Sequence, residues 1–204
     1  MRLIGMLDSP YVRRVAISLR MLNLPFSHES LSVFRTFEAF SKINPVVKAP
    51  SLVTDEGVVL MDSCLILEYA ERIAEPALGL TPAEITHFTR SQRIIGLALA
   101  ACEKSVQIVY EHDLRPSEKR HQPWLDRVHG QLADAYRLLE AEVQQADPWI
   151  FADRPLQADI TSAVAYRFTR EMLPDVIAAG EYPALAALSE KSEASEAFLA
   201  FPFS

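Results

Sequence analysis

Ser9 and Pro10 directly follow a short β-type run at the start of the sequence. Serine before proline is typical of a helix start, because the hydroxyl caps the helix and proline fits its first turn. A helix N-terminus also presents unpaired N–H groups and the positive end of the helix dipole, so a hydroxyl there can donate to a bound thiolate and lower its pKa. Ser9 is therefore either a plain cap or a thiolate donor. A nucleophilic serine is disfavoured, because neither a neighbouring histidine nor a G-x-S-x-G pattern accompanies it.

A second candidate lies at Lys48, Ala49 and Pro50, immediately before a β-type run. A trans proline is common at the start of a strand, where no N–H is needed. The alternative is a cis Ala49–Pro50 bond, which leaves the backbone N–H and C=O of Ala49 available to an extended peptide ligand. Lys48 is then either a solvated charge or a partner for a carboxylate.

Asp62 and Ser63 form the third candidate, at the start of a helical pattern. Both residue types are good helix caps, which suffices to explain the pair. They could instead hold an α-amino-acid end, with Ser63 and the first helical N–H groups on the carboxylate and Asp62 on the ammonium. Arg13 and Arg14 are expected at the surface or in interdomain ion pairs.

The first part of the chain reads as strand, helix, strand, helix, hairpin and helix. Apolar spacing and the Asp-Glu-Gly turn at 55–57 predict these elements: strands at 3–6, 26–31, 51–54 and 58–61, and helices at 11–22, 37–43 and 63–73. A strand–helix–strand start implies a parallel pair of strands, and the hairpin adds antiparallel ones.

The second part lacks comparable strand signals. Helical patterns cover the stretches 82–114, 124–145, 158–173, 183–188 and 190–199. Residues 76–82 contain two prolines and one glycine, which is typical of a linker. We therefore expect an α/β domain followed by an all-α domain. The apolar tail at 197–204 could cover a site or dock on the core as a terminal helix.

Composition excludes several classes of protein. The chain has 204 residues, a formal charge of −7 and 50% hydrophobic residues, which argues for a globular fold and against nucleic acid or an anionic membrane as the main partner. Cys64 and Cys102 are too few for a disulfide framework and lack zinc-ligand spacing. The apolar run at 94–102 is shorter than the ~18 residues of a membrane span. We expect a cytoplasmic protein without metal.

The three candidate motifs occur in a specific order. Ser-Pro-Tyr-Val-Arg-Arg-Val comes first, then Asn-Pro-Val-Val-Lys-Ala-Pro-Ser-Leu, then Asp-Ser-Cys-Leu-Ile-Leu-Glu-Tyr. Together they resemble the cytosolic glutathione transferase superfamily, in its serine-type, bacterial-like or tau/zeta-like forms. The resemblance implies a thioredoxin-like glutathione-binding domain over 1–76, a linker over 77–82 and an all-helical domain over 83–204 that forms the electrophile pocket.

The resemblance also implies a role for each candidate residue. Ser9 would hold the sulfur of glutathione, the co-substrate, as thiolate, and Ala49 before a cis Pro50 would pair with the cysteinyl backbone. Asp62 and Ser63 would hold the γ-glutamyl end. The remaining expected residues are Lys48 and Arg35 at the glycyl carboxylate and Leu7, Tyr11, Val106 and Tyr110 around a small hydrophobic electrophile.

Three positions depart from the family pattern. Ser9 stands where a cysteine would suggest thiol transfer, so conjugation is expected. Val47 stands where glycine is frequent, so the backbone of that loop is expected to differ. Leu156 replaces a hydroxyl cap while Asp159 keeps the acid of the capping box, at an expected cost in stability of about 1 kcal/mol.

We therefore expect a glutathione transferase with a role in detoxification. Isomerisation and reductive dehalogenation stay open as reactions, and a non-catalytic binding or interaction module is the alternative, because a fold does not determine a function. A homodimer is also expected, in which the acidic helix at 63–73 faces the partner's long helix near Arg90 and Arg93.

Overall fold

The computed structural model describes residues 1–178 and 180–204. Contacts divide them into two compact units. The N-terminal unit comprises residues 1–80 and 193–204, and the helical unit comprises residues 81–192. Within the described ranges, no helix combines the length and the apolar character that crossing a membrane would require.

A four-stranded mixed sheet organises the N-terminal unit. The elements are β1 (Arg2–Ile4), α1 (Pro10–Met21), β2 (Ser27–Glu29), α2 (Phe37–Ile43), β3 (Ser51–Val53), β4 (Val59–Leu60) and α3 (Ser63–Ile73). The strand order is β2-β1-β3-β4. β1 pairs in parallel with β2, and the β1–β3 and β3–β4 pairs are antiparallel, as the crossover helix and the hairpin require.

The core of this unit lies around β1 and α1. Leu3 of β1 stands opposite Leu52 of β3, and both are fully buried. α1 packs against α3, where Ile66 and Ala70 are also fully buried. Burial in α1 is continuous from Val12 to Leu19 rather than periodic, so this helix is covered on all of its faces.

The helical unit is built on one long helix. Its elements are α4 (Ile85–Asp113), α5 (Gln122–Val143), α6 (Gln157–Met172) and α7 (Pro183–Glu193), with a short 3-10 turn at Ser117–Lys119. A second 3-10 turn, at Pro76–Leu78, and the last helix, α8 (Glu196–Leu199), fall within the residues of the N-terminal unit. α4 packs against α5 and α6. The buried Tyr136 hydroxyl of α5 lies 2.6 Å from the Thr169 hydroxyl, which lies 2.7 Å from that of Ser105.

The start of α6 explains the departure at Leu156. The buried Asp159 carboxylate accepts hydrogen bonds from the N–H groups of Leu156, at 2.9 Å, and Ile150, at 3.0 Å. Leu156 makes no side-chain cap bond, but its side chain is buried. Burial of a leucine contributes about 1.5–3 kcal/mol, which exceeds the ~1 kcal/mol of a hydroxyl cap. We therefore expect burial of this leucine to offset the missing hydroxyl cap.

The last twelve residues belong to the N-terminal unit by their contacts, whereas the sequence analysis assigned them to the helical domain. Phe26 stacks on Phe201 with ring centroids 5.5 Å apart. Arg13 of α1 donates to the backbone oxygen of Phe201 at 2.8 Å and to both carboxylate oxygens of Glu193 at 2.6 Å. The tail is thus docked on α1, because it supplies the anion and the carbonyl that a buried guanidinium requires.

The predicted fold class, an α/β thioredoxin-like domain followed by helices, is confirmed. Helices α2 and α3 match their predicted bounds to the residue, and no strand occurs in the described residues after Leu60. The main difference is near the C-terminus, where α7 continues to Glu193 and α8 begins only at Glu196. The break was predicted at residue 189, but neither proline nor glycine interrupts the chain there.

Candidate functional site

The first site residue, Ser9, caps α1. Its backbone is extended, with φ −71° and ψ 122°, and its Oγ accepts a long hydrogen bond of 3.4 Å from the N–H of Val12. No acceptor among residues 1–178 and 180–204 takes the proton of the Ser9 hydroxyl. The side chain is half-buried. A hydroxyl with a weak cap bond and an uncommitted proton, at a helix N-terminus, is suited to donate to an anion.

Gly5, which the sequence analysis did not single out, brings the end of β1 close to its neighbours. Its φ is +138°, and a Cβ at this position would lie 2.5 Å from Cγ2 of Val12 and 3.2 Å from Cβ of Ala49. Only glycine tolerates both this conformation and this approach. Gly5 therefore lets the Ser9 turn and the Ala49 loop lie side by side. A glycine inside a predicted strand, in a chain with only six glycines, was the available signal.

The Ala49 loop presents an unpaired backbone edge. The Ala49–Pro50 peptide bond is cis, as the resemblance implied. The hydroxyl of Ser51 donates to the backbone oxygen of Lys48 at 2.7 Å and accepts from the side-chain amide of Asn44 at 2.8 Å, which ties the loop down. No described residue bonds to the backbone N–H or C=O of Ala49.

Val47, in the same loop, has a φ of +53°. This left-handed conformation is one that glycine adopts readily and that a β-branched residue adopts at a cost of about 1–3 kcal/mol. The loop therefore has a backbone conformation that a glycine would favour, and its expected difference from the family stays a prediction. The N–H of Val47 donates to the backbone oxygen of Asn44 at 2.9 Å, which helps to hold the turn.

Asp62 caps α3 and meets Lys48 there. Its Oδ1 accepts from the N–H of Cys64 at 2.9 Å, and its Oδ2 lies 3.7 Å from Nζ of Lys48. Both side chains are about half exposed. An exposed pair at this distance contributes little to stability, so each partner is accessible to a ligand. The structure thus brings together Lys48 and Asp62, which the sequence analysis assigned to the opposite ends of one peptide.

Ser63 follows Asp62 but is buried. Its Oγ accepts a hydrogen bond of 3.0 Å from Nη1 of Arg14, and Nη1 also lies 3.5 Å from Sγ of Cys64. Ser63 is 1% exposed and Arg14 is 2% exposed. Arg14 and Arg13, which is 1% exposed, therefore do not lie at the surface. Arg13 takes the other expected role, an ion pair: its guanidinium binds Glu193, in the stretch that the sequence analysis assigned to the helical domain.

Arg35 lies beside the turn between β1 and α1. Its side chain is exposed, with Nη2 3.3 Å from Sδ of Met6. Burial raises the pKa of the nearby Asp8 carboxyl, while the Ser9 N–H and the charge of Arg35 act in the opposite direction. Its expected role beside Lys48 at the glycyl carboxylate stays a prediction.

The four expected electrophile-pocket residues lie in different units. Leu7 is buried and Tyr11 half-buried in the N-terminal unit. Val106 and Tyr110 lie one turn apart on α4 in the helical unit, so they share a face of that helix. Their assembly into one pocket stays a prediction.

The first turns of α4 carry a separate, open groove. Its volume is about 410 Å³, and it is lined by Ile85, Thr86, Thr89, Arg90 and Arg93. Arg90 and Arg93 both donate to the Glu142 carboxylate at 2.9 Å, and these bonds lower the pKa of that carboxyl. One of these two positive charges, which were expected to face an acidic partner helix, is therefore already balanced within the unit.

Metal ligation has no apparent centre here: the described residues hold no group of three or more His, Cys, Asp and Glu side chains that could share an ion. Both cysteines are thiols, Cys64 exposed and Cys102 buried.

Comparisons with known proteins agree with this geometry. Residues 3–77 match the family model of the glutathione S-transferase N-terminal domain. Over 140 residues the chain is 28% identical to the uncharacterized GST-like protein YibF of Escherichia coli K12, covering 69% of this chain and 68% of that protein. It is 29% identical over 85 residues to glutathione S-transferase U4 of Arabidopsis thaliana, covering 41% of this chain and 38% of that protein.

Two solved structures resemble the whole chain. A glutathione S-transferase from Methylobacterium radiotolerans, in complex with glutathione sulfonate, superposes with a TM-score of 0.90 at 26% identity, covering 100% of this chain and 95% of the other. A glutathione transferase family member from Pseudomonas fluorescens Pf-5, with bound glutathione, gives a TM-score of 0.82 at 29% identity over 98% and 97% of the two chains. The chain is therefore similar to glutathione transferases over its whole length, and residues 3–77 match the model of their N-terminal domain.

Proposed function

We propose that this protein is a glutathione transferase that holds the glutathione thiolate at Ser9 for attack on a small hydrophobic electrophile. The observation that carries the proposal is the Ser9 hydroxyl, whose proton no described acceptor takes and which caps α1 only through a 3.4 Å bond. A donor at a helix N-terminus interacts better with a thiolate than with a thiol, so it favours the nucleophilic form. In the reaction, the sulfur lone pair forms the new bond to carbon, and the leaving group departs with its electron pair.

The rest of the tripeptide has a partner for each of its polar parts. The unpaired backbone of Ala49 suits the cysteinyl N–H and C=O in the manner of an added strand. Asp62 and Ser63 suit the ammonium and carboxylate of the γ-glutamyl end, and Lys48 suits the glycyl carboxylate. Because Lys48 and Asp62 now pair weakly at 3.7 Å, a ligand can separate them at little cost.

The electrophile is proposed to lie against Leu7 and Tyr11 on one side and Val106 and Tyr110 on the other. These side chains are apolar or aromatic, so they favour a small hydrophobic compound. A cytoplasmic location and a role in detoxification accompany this proposal, and the two cysteine thiols fit a reducing compartment.

Calorimetry with glutathione, followed by a panel of aryl halides, epoxides and enones, tests the proposal. We expect binding in the micromolar range and product from at least one class of electrophile. Product analysis distinguishes conjugation from isomerisation and dehalogenation. Binding without turnover of any compound would support the non-catalytic module instead. No heat of binding and no competition by S-methylglutathione would reject the glutathione site altogether.

We also propose a homodimer. α3 exposes Leu65 and Ile73, and α4 exposes Ile85 and Phe88, which gives each helix an apolar strip to bury against the other in a second copy. Attraction between the acidic α3 and the basic residues of the partner's α4 is proposed to contribute less to the dimer than expected, because Glu142 already binds Arg90 and Arg93. Sedimentation should show a dimer at micromolar concentration that Phe88→Glu dissociates. A monomer in the wild type would refute it.

A further inference from the structure

Arg14 is a buried cation that no carboxylate of the described residues contacts. It is 2% exposed, and its side chain bonds to one hydroxyl, on Ser63 at 3.0 Å, and one sulfur, on Cys64 at 3.5 Å. Within the described parts of the chain, its Nε has no hydrogen-bond partner, and no carboxylate oxygen lies within 4.0 Å of the guanidinium. A guanidinium has five donors and cannot lose its charge, so this one is under-satisfied.

The adjacent Arg13 shows what a satisfied guanidinium looks like in the same helix. Three of its bonds go to the Glu193 carboxylate and the Phe201 carbonyl. Burying a charge without such partners is costly. The contrast between the neighbours indicates that the counter-ion of Arg14 comes from outside the chain.

The bond to Ser63 determines where that counter-ion would bind. Nη1 of Arg14 donates to Oγ of Ser63, so the Ser63 hydroxyl uses a lone pair inward and its proton is directed elsewhere. Ser63 is also the first residue of α3, an 11-residue helix, whose N-terminus carries the positive end of its dipole. At the same end, Asp62 and Lys48 form a pair of opposite charges, which leaves the positive charge of Arg14 uncompensated.

We propose that Arg14 is a positioning residue for a carboxylate at the start of α3: it fixes Ser63 as a hydrogen-bond donor and supplies the charge behind it. The inference rests on the proposed function, which makes this anion the α-carboxylate of the γ-glutamyl group. Arg14 itself does not touch the ligand or the reacting sulfur.

The test pairs two ligands with three proteins. Calorimetry measures glutathione, and an analogue whose γ-glutamyl α-carboxylate is a carboxamide, against wild type, Arg14→Met and Arg14→Lys. The wild type should prefer glutathione by about tenfold or more, as expected for a charge-assisted contact. Arg14→Met should lose that preference: it should bind glutathione about tenfold more weakly than the wild type does, and the carboxamide as tightly as the wild type does. Arg14→Lys keeps the charge and should keep most of the preference.

Kinetics and stability separate positioning from a purely structural role. In Arg14→Met, KM for glutathione should rise about tenfold while kcat changes little, because Ser9 is intact. The ligand-free variant should unfold no earlier than the wild type, since it loses an uncompensated buried charge. If Arg14→Met does not fold, Arg14→Gln replaces it, since the amide keeps a donor near Ser63 but carries no charge, and it should lose the preference in the same way.

The outcomes are distinct. A wild type that does not bind glutathione would overturn the proposed function and this inference with it. A wild type that binds glutathione, with Arg14→Met weakening both ligands equally or neither, would overturn the inference alone. An Arg14→Lys protein that loses the preference as fully as Arg14→Met would also overturn it, because the positive charge would then not be what Arg14 supplies.

Discussion

Buried charges in the two units are handled in opposite ways. In the helical unit, the Glu140 carboxylate accepts from the N–H groups of Ala184 and Leu185 at 2.8 and 2.9 Å, and Asp159 likewise accepts from two backbone N–H groups. In the N-terminal unit, Arg14 bonds to only one hydroxyl and one sulfur. We call the two carboxylates closed, because backbone N–H groups of their own unit satisfy them, and Arg14 open, because its Nε has no acceptor among the described residues.

The difference separates two uses of a buried polar group. A closed group fixes the backbone, as Glu140 does for the first turn of α7, and its removal leaves unsatisfied N–H groups behind. An open group lowers the stability of the ligand-free protein and raises the affinity for a ligand that satisfies it. Arg13 shows that the N-terminal unit can also close a charge where the role is packing, so the open state of Arg14 belongs to its site and not to the whole unit.

The largest effect is expected at the closed carboxylate Asp159. Asp159→Ala leaves two buried N–H groups without an acceptor, at about 1–3 kcal/mol each, so the free energy of unfolding should fall by about 4 kcal/mol. Urea unfolding followed by circular dichroism measures this loss. Asp134→Ala, at an exposed pair with Arg137, is the control and should cost under about 1 kcal/mol. Equal midpoints for the two variants would contradict the distinction.

The next effect is expected at Arg13. Arg13→Met removes both bonds to Glu193 and the bond to Phe201, and it leaves a carboxylate that is only 23% exposed, so we expect a loss of about 2–4 kcal/mol. The matched control is Arg20→Met, which also links α1 to the C-terminal segment, through the exposed Glu196, and should cost under about 1 kcal/mol. A loss at Arg13 no greater than at Arg20 would mean that its pair contributes nothing by being buried.

Local signals in the sequence account for what was predicted well. Asp62 and Ser63 mark a helix start, and the apolar residues that follow have helical spacing, so the bounds of α3 were predicted to the residue. The same cap signals identified Ser9, Asp62 and Ser63 as site candidates. Such signals depend on neighbours within a few residues, which the chain itself displays.

Contacts between distant residues account for what was missed. Arg13 and Arg14 were expected at the surface or in interdomain ion pairs. Arg13 does form an ion pair, but the burial of both was missed, because α1 is covered on all faces and its burial has no period to detect. The partner of Arg13 is 180 residues away, and that of Arg14 is 49 residues away. No local pattern reports such a pairing. For the same reason, the docking of the tail on α1 could not be derived from its apolar character.

Ser9, like Arg14, carries a donor that no described residue satisfies, and its substitution tests whether such a donor serves a ligand. Ser9→Ala removes a donor to the bound thiolate, and one charge-assisted hydrogen bond is about 1.5–3 kcal/mol, or roughly one to two pKa units. Turnover near neutral pH should fall about ten- to a hundredfold, while glutathione binding changes little and stability falls by under about 1 kcal/mol, because the cap bond is long. The thiolate absorbance of the glutathione complex against pH measures the shift. Superimposable titrations of wild type and variant would mean that Ser9 is only a cap.

The smallest effect is expected in the pH dependence of stability, at one carboxyl of each unit, Asp8 and Glu142. Burial raises the pKa of Asp8 above 3.8, so the folded chain holds the proton more tightly than the unfolded chain, and stability falls as pH rises through that window. Hydrogen bonds from Arg90 and then Arg93 instead lower the pKa of Glu142 below 4.5, so its contribution is present above that value and is lost as pH falls through the folded pKa. Asp8→Asn should therefore be more stable than wild type at pH 7, and Glu142→Gln less stable, with both differences closing toward about pH 3. Unfolding midpoints of the wild type and the two variants from pH 3 to 7 measure these differences. If both variants were more stable than the wild type at pH 7, or both less stable, the opposite pKa shifts of Asp8 and Glu142 would be contradicted.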